Sequence, residues 1–208
     1  MEAHKLKRTG KMPGLFAALI LAAVIFLDGG AWAGSPPNEA ALKKAIGLRS
    51  TAAVLAMKTR NTRMLSTLVH PCKGVRFSPY AYVNPKKDLV FKPAQVTRFF
   101  KDTKKYHWGF YDGSGEPIVM TPTQYFQRFV YDRDFANAKE VGYNRSIGQG
   151  NTPDNSSTVY PKAIVVEYHF PGFDPKYGGM DWRSLRLVWE RLGRAWYLVG
   201  VIHAEWTI

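Results

Sequence analysis

The chain has 208 residues, a net charge of +13 and one cysteine, Cys72. A single thiol excludes an internal disulfide, and the length suits one folded domain rather than two. A domain of that size buries roughly 70% of its unfolded surface, enough for a core without covalent bridges.

Residues 1–33 read as an export leader. Lys5, Lys7, Arg8 and Lys11 make a basic start, residues 15–27 an apolar run, and Ala31-Trp32-Ala33 a small-x-small cleavage site before Gly34. The run is shorter than the roughly 20 residues that span a bilayer, so cleavage is expected and no transmembrane segment remains after it. The predicted destination is the periplasm or the extracellular space. Cleavage removes four basic and two acidic side chains and leaves a net charge of +11. For an exported chain, a field of that sign attracts anionic lipid headgroups, lipopolysaccharide or cell-wall polymers, and nucleic acid is not an expected partner. Lys and Arg run from Lys43 to Arg194, with short pairs such as Lys86-Lys87 and Lys104-Lys105, the pattern of a solvated basic surface.

The expected organisation is a leader over 1–33, a linker and the start of the first helix over 34–50, and one α+β domain over 51–208. Asn38 is placed to cap a helix with Glu39 in its first turn, and Leu42, Ile46, Ala53 and Met57 keep a helical stripe. After the break at Arg60-Asn61, Thr62 is expected to cap a short second helix through Leu65, Leu68 and Val69, stopped by His70-Pro71. Residues 75–78, 80–83 and 89–91 read as short strands divided by Pro79 and Asn84-Pro85. Pro93 opens a short helix presenting Val96, Phe99 and Phe100. Residues 106–111 and 117–120 flank an Asp112-Gly113-Ser114-Gly115 turn. Thr121, Pro122 and Gln124 then spell a capped helix start ahead of the apolar face Tyr125, Phe126, Phe129 and Val130.

Residues 142–158, rich in Gly, Asn and Ser, read as a mobile loop. Three strands follow, over 163–170, 184–190 and 195–207, with Gly193 taking positive φ in the hairpin turn between the last two. Strict alternation in the last strand sends Trp196, Leu198, Ile202, Ala204 and Trp206 to one face, and Tyr197, Val199, Val201, His203 and Glu205 to the other. Both faces are largely apolar, so one meets the helices and the other needs a cover, either a partner subunit in a homodimer through the sheet or the wall of a ligand pocket.

Two helices, mixed strands, a capped helix and a C-terminal antiparallel meander form an order that resembles the nuclear transport factor 2-like fold. That resemblance implies N-terminal helices packed as a cone on a curved, mostly antiparallel sheet. Gly74-Val75-Arg76-Phe77-Ser78-Pro79-Tyr80, Trp108-Gly109 with Tyr111-Asp112-Gly113-Ser114-Gly115-Glu116-Pro117-Ile118, Met180-Asp181-Trp182 with Ser184-Leu185-Arg186-Leu187-Val188, Trp196-Tyr197-Leu198-Val199 and Trp206-Thr207-Ile208 are similar to a family of uncharacterised secreted bacterial proteins. The resemblance carries no activity and no catalytic residue.

The residues themselves offer little recognisable chemistry. His70, His107, His169 and His203 lack metal-ligand spacing, so neither a metal nor a cofactor is expected. Asp112-x-Ser114-x-Glu116 departs from a calcium loop at Pro117 and Thr123 and reads as a hairpin. Ser66, Ser78 and Ser184 lack a nucleophile elbow, and Cys72 two residues after His70 is weak ground for thiol chemistry. His169 and His203 fall in strands and are placed to meet across the sheet. The aromatic set Tyr80, Trp108, Tyr125, Tyr168, Trp189 and Trp196 suits a lined cavity or a core. Arg186 interrupts an apolar strand, must pair with Asp181 or Glu167 if enclosed, and would then mark an anionic-ligand pocket. The candidate ligand-binding set is therefore Tyr80, Trp108, Tyr125, Tyr168, Arg186 and His203. The leading expectation is an exported protein that binds a small or anionic ligand, or a partner, in a conical pocket without catalysis. The alternatives are a cofactor-independent isomerase or hydro-lyase using His203 or an Asp, and a basic envelope protein that binds cell-surface polyanions.

Overall fold

The computed structural model describes residues 39–207. The leader, the linker and the expected cap at Asn38 lie outside these residues. Helix α1 (Glu39–Lys58) carries Glu39 in its first turn and Lys58 in its last, charges that complement the helix dipole. It buries Ile46, Ser50, Ala53, Val54 and Met57, one stripe at helical spacing. Helix α2 (Thr62–Leu68) is capped by Asn61, whose side chain accepts from the Met64 amide at 2.9 Å. The expected cap, Thr62, is instead the first helical residue. Its hydroxyl donates to the Thr97 carbonyl at 3.0 Å and ties α2 to α3 (Pro93–Thr97). Helix α4 (Pro122–Phe129) has the full capping box: Thr121 accepts from the Gln124 amide, and Gln124 accepts from the Thr121 amide.

Eight strands form two sheets. The main sheet runs β2-β1-β8-β7-β6-β5, and every neighbouring pair is antiparallel except β1 with β8. Its strands are β1 (Val75–Ser78), β2 (Val90–Phe91), β5 (Glu140–Tyr143), β6 (Ile164–Phe170), β7 (Arg183–Leu192) and β8 (Ala195–Glu205). Strands β3 (Tyr106–Phe110) and β4 (Pro117–Met120) make a separate two-stranded ribbon. The fold is α+β, with helices packed on a curved, mostly antiparallel sheet. No strand forms over 80–83, because Pro79 interrupts the ladder just after β1. Strand β5 forms at the start of the segment expected to be a loop, and a short helix α5 (Ser156–Val159) forms at its end. Gly193, at φ 60°, makes the tight turn between β7 and β8.

Strict alternation in β8 fails at one point. Val188 pairs with Gly200 and Trp189 pairs with Leu198, so Val199 is an extra residue, a β-bulge. Leu198 and Val201 therefore both join the helix-side core, while Val199 and Ile202 both pack on the outer face. The shared face expected for Val199 and Val201, and that expected for Leu198 and Ile202, are both overturned by that single residue.

The helix side of the sheet is solid. Trp108 stacks on Tyr125 at 3.8 Å between ring centroids, and Phe77 meets Phe91, Phe99, Trp108 and Tyr125. The void beside Met57, Leu65, Phe77 and Phe99 is about 10 Å³, room for no more than a water. The conical pocket expected from the sequence is filled by rings. On the outer face, Val188, Val199 and Ile202 pack against Tyr160 and Val83, and Ala204 packs with Trp182 and Ala81. The chain's own segments supply the cover that was expected from a partner subunit or a pocket wall.

Candidate functional site

Strands β6 and β7 place polar side chains opposite one another on the outer face. Glu167 pairs with Arg186 and His169 with Ser184 in the antiparallel register, while the alternating Val166, Tyr168, Leu185 and Leu187 enter the helix-side core. Arg186 is 2% exposed and Glu167 1%. Unpaired, either charge would be expensive to bury, so both are held in a network. Arg186 Nε donates to Glu167 Oε2 at 3.0 Å, and Nη2 donates to the Gly148 carbonyl at 2.9 Å. Glu167 also accepts from the Ile147 and Gly148 amides at 3.0 and 2.9 Å and from the Ser184 hydroxyl at 2.6 Å.

Those bonds fix the loop after β5 onto the sheet, so the segment expected to be mobile is pinned. Gly148 is the point of closest approach, since a Cβ there would lie 2.5 Å from the Trp182 ring and 2.7 Å from Ser184 Oγ. With its proton committed to Glu167, Ser184 Oγ accepts from His169 Nδ1 at 2.8 Å. Burial lowers the His169 pKa, so the ring is neutral at pH 7.

Arg186 Nη1 differs from its neighbours. It lies 3.0 Å from Asp154 Oδ2, but at an angle that makes no hydrogen bond, and it is buried without a hydrogen-bond acceptor. Asp154 is itself held by the Ser146 hydroxyl at 2.6 Å and the Ser156 amide at 2.8 Å. Burial alone would raise its pKa. The charge of Arg186 and the bonds from Ser146 and Ser156 outweigh that and hold it below the usual carboxylate range. Arg186, Asp154 and Ser146 border a cavity of about 350 Å³ that also takes in Asn144, Ser157 and Tyr160. The same three residues border a second cavity of about 260 Å³, against Gly150, Thr152 and Trp182. The first volume is at the small end of ligand pockets.

Of the six residues predicted to bind ligand, Arg186 alone lies at this site. Trp108 and Tyr125 are buried in the ring core, with Trp108 Nε1 donating to the Met120 carbonyl at 2.9 Å. Tyr80 packs edge-on against Phe129, and Tyr168 is buried on the helix side with its phenol pushed up to about 12 by burial. His203 is fully buried on the helix side, edge-on to Phe129, with Nδ1 3.3 Å from the Pro79 carbonyl and Nε2 3.5 Å from Asp132 Oδ2. It belongs to a chain of charges that runs from Asp132 to Arg183 at 3.2 Å, to Glu205 at 3.1 Å and to Arg128 at 2.6 Å.

His169 lies on the outer face and His203 on the helix side, so the expected meeting across the sheet does not occur. Of the two partners expected for Arg186, Glu167 is the one it meets. Asp181 instead accepts from the Phe173 and Asp174 amides. Asp154, Ser146, Ser156 and Tyr160 were missed. Two polar pairs standing opposite each other in otherwise apolar strands were the signal for a built polar cluster. Among the described residues, no group of three or more His, Cys, Asp or Glu side chains is placed to hold a metal ion, and no helix is long and apolar enough to cross a membrane.

No family model matches the sequence, and no curated protein matches it. Among solved structures, one similar chain is a candidate dehydratase from the NTF2-like family of Streptomyces avermitilis. It shares 12% identity, the match covers 79% of this chain and 97% of that one, and the TM-score is 0.36. Another is a substituted form of a protein named Rd1NTF2_05, at 11% identity, 78% and 98% coverage and a TM-score of 0.34. At those scores the likeness carries no argument about activity, and the α+β architecture rests on the strands and helices themselves.

Proposed function

We propose that the chain is exported and binds a small, uncharged, hydroxyl-rich ligand, such as a sugar unit, in the cavity at Arg186 without transforming it. Export is read from residues 1–33. The observation that carries the binding site is Arg186 Nη1, a buried donor without a hydrogen-bond acceptor at the wall of a 350 Å³ cavity. A ligand oxygen would complete it.

The class of ligand follows from the lining. Arg145 and Arg186 are balanced by Asp154 and Glu167, so the cavity has no net charge to favour an anion. Asn144, Ser146, Ser156 and Ser157 supply the donors and acceptors that hydroxyl groups use. Absence of catalysis is read from Glu167, whose oxygens already accept four hydrogen bonds and have little capacity to take a proton.

The test is calorimetric titration of the purified protein with neutral monosaccharides and disaccharides, small carboxylates and phosphate. Saturable binding of a neutral sugar, weakened at least tenfold in Ser157→Ala or Asn144→Ala, supports the reading. Binding of the anions alone, or turnover of any bound compound, overturns it.

A further inference from the structure

The net positive charge is not shared evenly along the fold. Residues 58–105 carry twelve basic and two acidic side chains, whereas residues 106–208 carry ten basic and eleven acidic. The excess therefore sits between the end of α1 and the start of β3, mostly on the connecting segments, and the part of the chain that builds the Arg186 cavity is close to neutral. The charge is thus uneven along the chain.

At one edge of the basic region the charge adjoins exposed apolar side chains. Lys101, Lys104 and Lys105 are exposed, and among the described residues none of them pairs with a carboxylate. Asp102, the acid in their midst, is engaged by the Tyr106 hydroxyl at 2.8 Å and the Lys104 amide at 2.9 Å. The β3–β4 ribbon continues from these lysines. Its inner face is Trp108 and Ile118, both buried. Its outer face begins with the cross-strand pair His107 and Val119, and the Phe110 ring lies 4.8 Å from the His107 ring. Phe110 is 51% exposed and Val119 49%. Lys105 shares a surface groove with Val119, which places cation and apolar side chain together.

We propose that this outer ribbon face, Phe110 and Val119 with Lys105 beside them and Lys101 and Lys104 in the segment leading in, is a contact surface for an anionic lipid bilayer. A bilayer offers both things the surface lacks. Its headgroups supply negative charge to lysines that have no carboxylate of their own, and its interfacial zone takes up Phe110 and Val119 out of water. A soluble polyanion would use only the lysines. The ribbon is also suited by topology, since it belongs to neither edge of the main sheet.

The experiment is co-sedimentation of the purified protein with vesicles, either pure phosphatidylcholine or phosphatidylcholine with phosphatidylglycerol, at low and raised salt, alongside binding to soluble polyphosphate. The protein should bind the phosphatidylglycerol vesicles, weaken with salt and ignore pure phosphatidylcholine. Reversing three charges in Lys101→Glu/Lys104→Glu/Lys105→Glu should cut vesicle binding roughly a hundredfold. Phe110→Ser should cut it about tenfold while leaving polyphosphate binding unchanged. All substituted positions are exposed, and matching circular dichroism and melting curves establish that the variants fold. Failure to bind anionic vesicles overturns the proposal, as does vesicle binding that is indifferent to Phe110→Ser, which would assign the lysines to a soluble polymer instead.

Discussion

The two faces of the main sheet are built from the same strands and closed in opposite ways. On the helix side, Val166, Tyr168, Leu185 and Leu187 meet a mass of rings that leaves almost no void. On the outer side, Glu167, His169, Ser184 and Arg186 hold a loop by directed bonds and leave a cavity of about 350 Å³. The difference shows how a strand of period two separates stability from recognition: the apolar positions close a core, and the polar ones between them build a surface with unspent hydrogen-bonding capacity.

The comparison breaks most sharply at Glu167. Glu167→Ala leaves Arg186 charged, buried and without its best partner, and strands two loop amides, so a loss of about 3–5 kcal/mol is expected in denaturant unfolding. Hydrogen exchange should show the loop over 144–154 opening while the amides of α4 stay protected. Gly148→Ala attacks the same closure by volume. Its Cβ would collide with Trp182 and Ser184, and a loss of about 1–3 kcal/mol with early opening of that loop is the outcome to look for in the same two measurements.

Acid should also act at His169 on the outer face and at His70 just after α2 before it reaches the ring core. His169 and His70 are both lowered by burial, so below the unfolded value of about 6.5 the unfolded chain binds protons that the folded one resists. Stability should therefore fall as pH drops from about 6.5 toward 5. Asp154 is lowered chiefly by Arg186 against the opposing effect of burial, and Asp112 by the hydroxyls of Thr152 and Thr207. Their contributions are present above the ordinary carboxylate pKa of about 4 and vanish as pH falls through the lower folded values. Melting temperature across this range checks both steps, and His169→Gln should flatten the first.

The smallest effect has the opposite sign. Tyr125 is fully buried on the helix side with a hydroxyl that has no hydrogen-bond partner, so Tyr125→Phe should gain about 1 kcal/mol in the same unfolding assay.

Where the chain carries its own local instructions, its structure was legible. The capping box at Thr121, the Pro93 helix start and the Gly193 turn depend on residues a few positions apart, and all three form as read. What depends on distant neighbours was not legible. Asn61 takes the cap because Thr62 is drawn to Thr97, and β5 forms because β6 offers it an edge. The ring-filled interior was hidden for the same reason, since aromatic residues lining a cavity and aromatic residues filling it have the same composition. At the candidate site, the enclosure of Arg186 and its pairing with Glu167 were within reach. Asp154 and Ser146, delivered by a loop of low apolar content, were not.

The extra residue at Val199 makes the length of β8 a functional quantity. Removing one residue there would restore simple alternation, and everything beyond it would turn over relative to Trp196 and Leu198. His203 and Glu205 would then leave the charge chain under α4, and Ile202 and Ala204 would leave the outer face. Related chains that gain or lose a residue at this point should thus differ abruptly, with the same letters in the strand and the roles of its two sides exchanged.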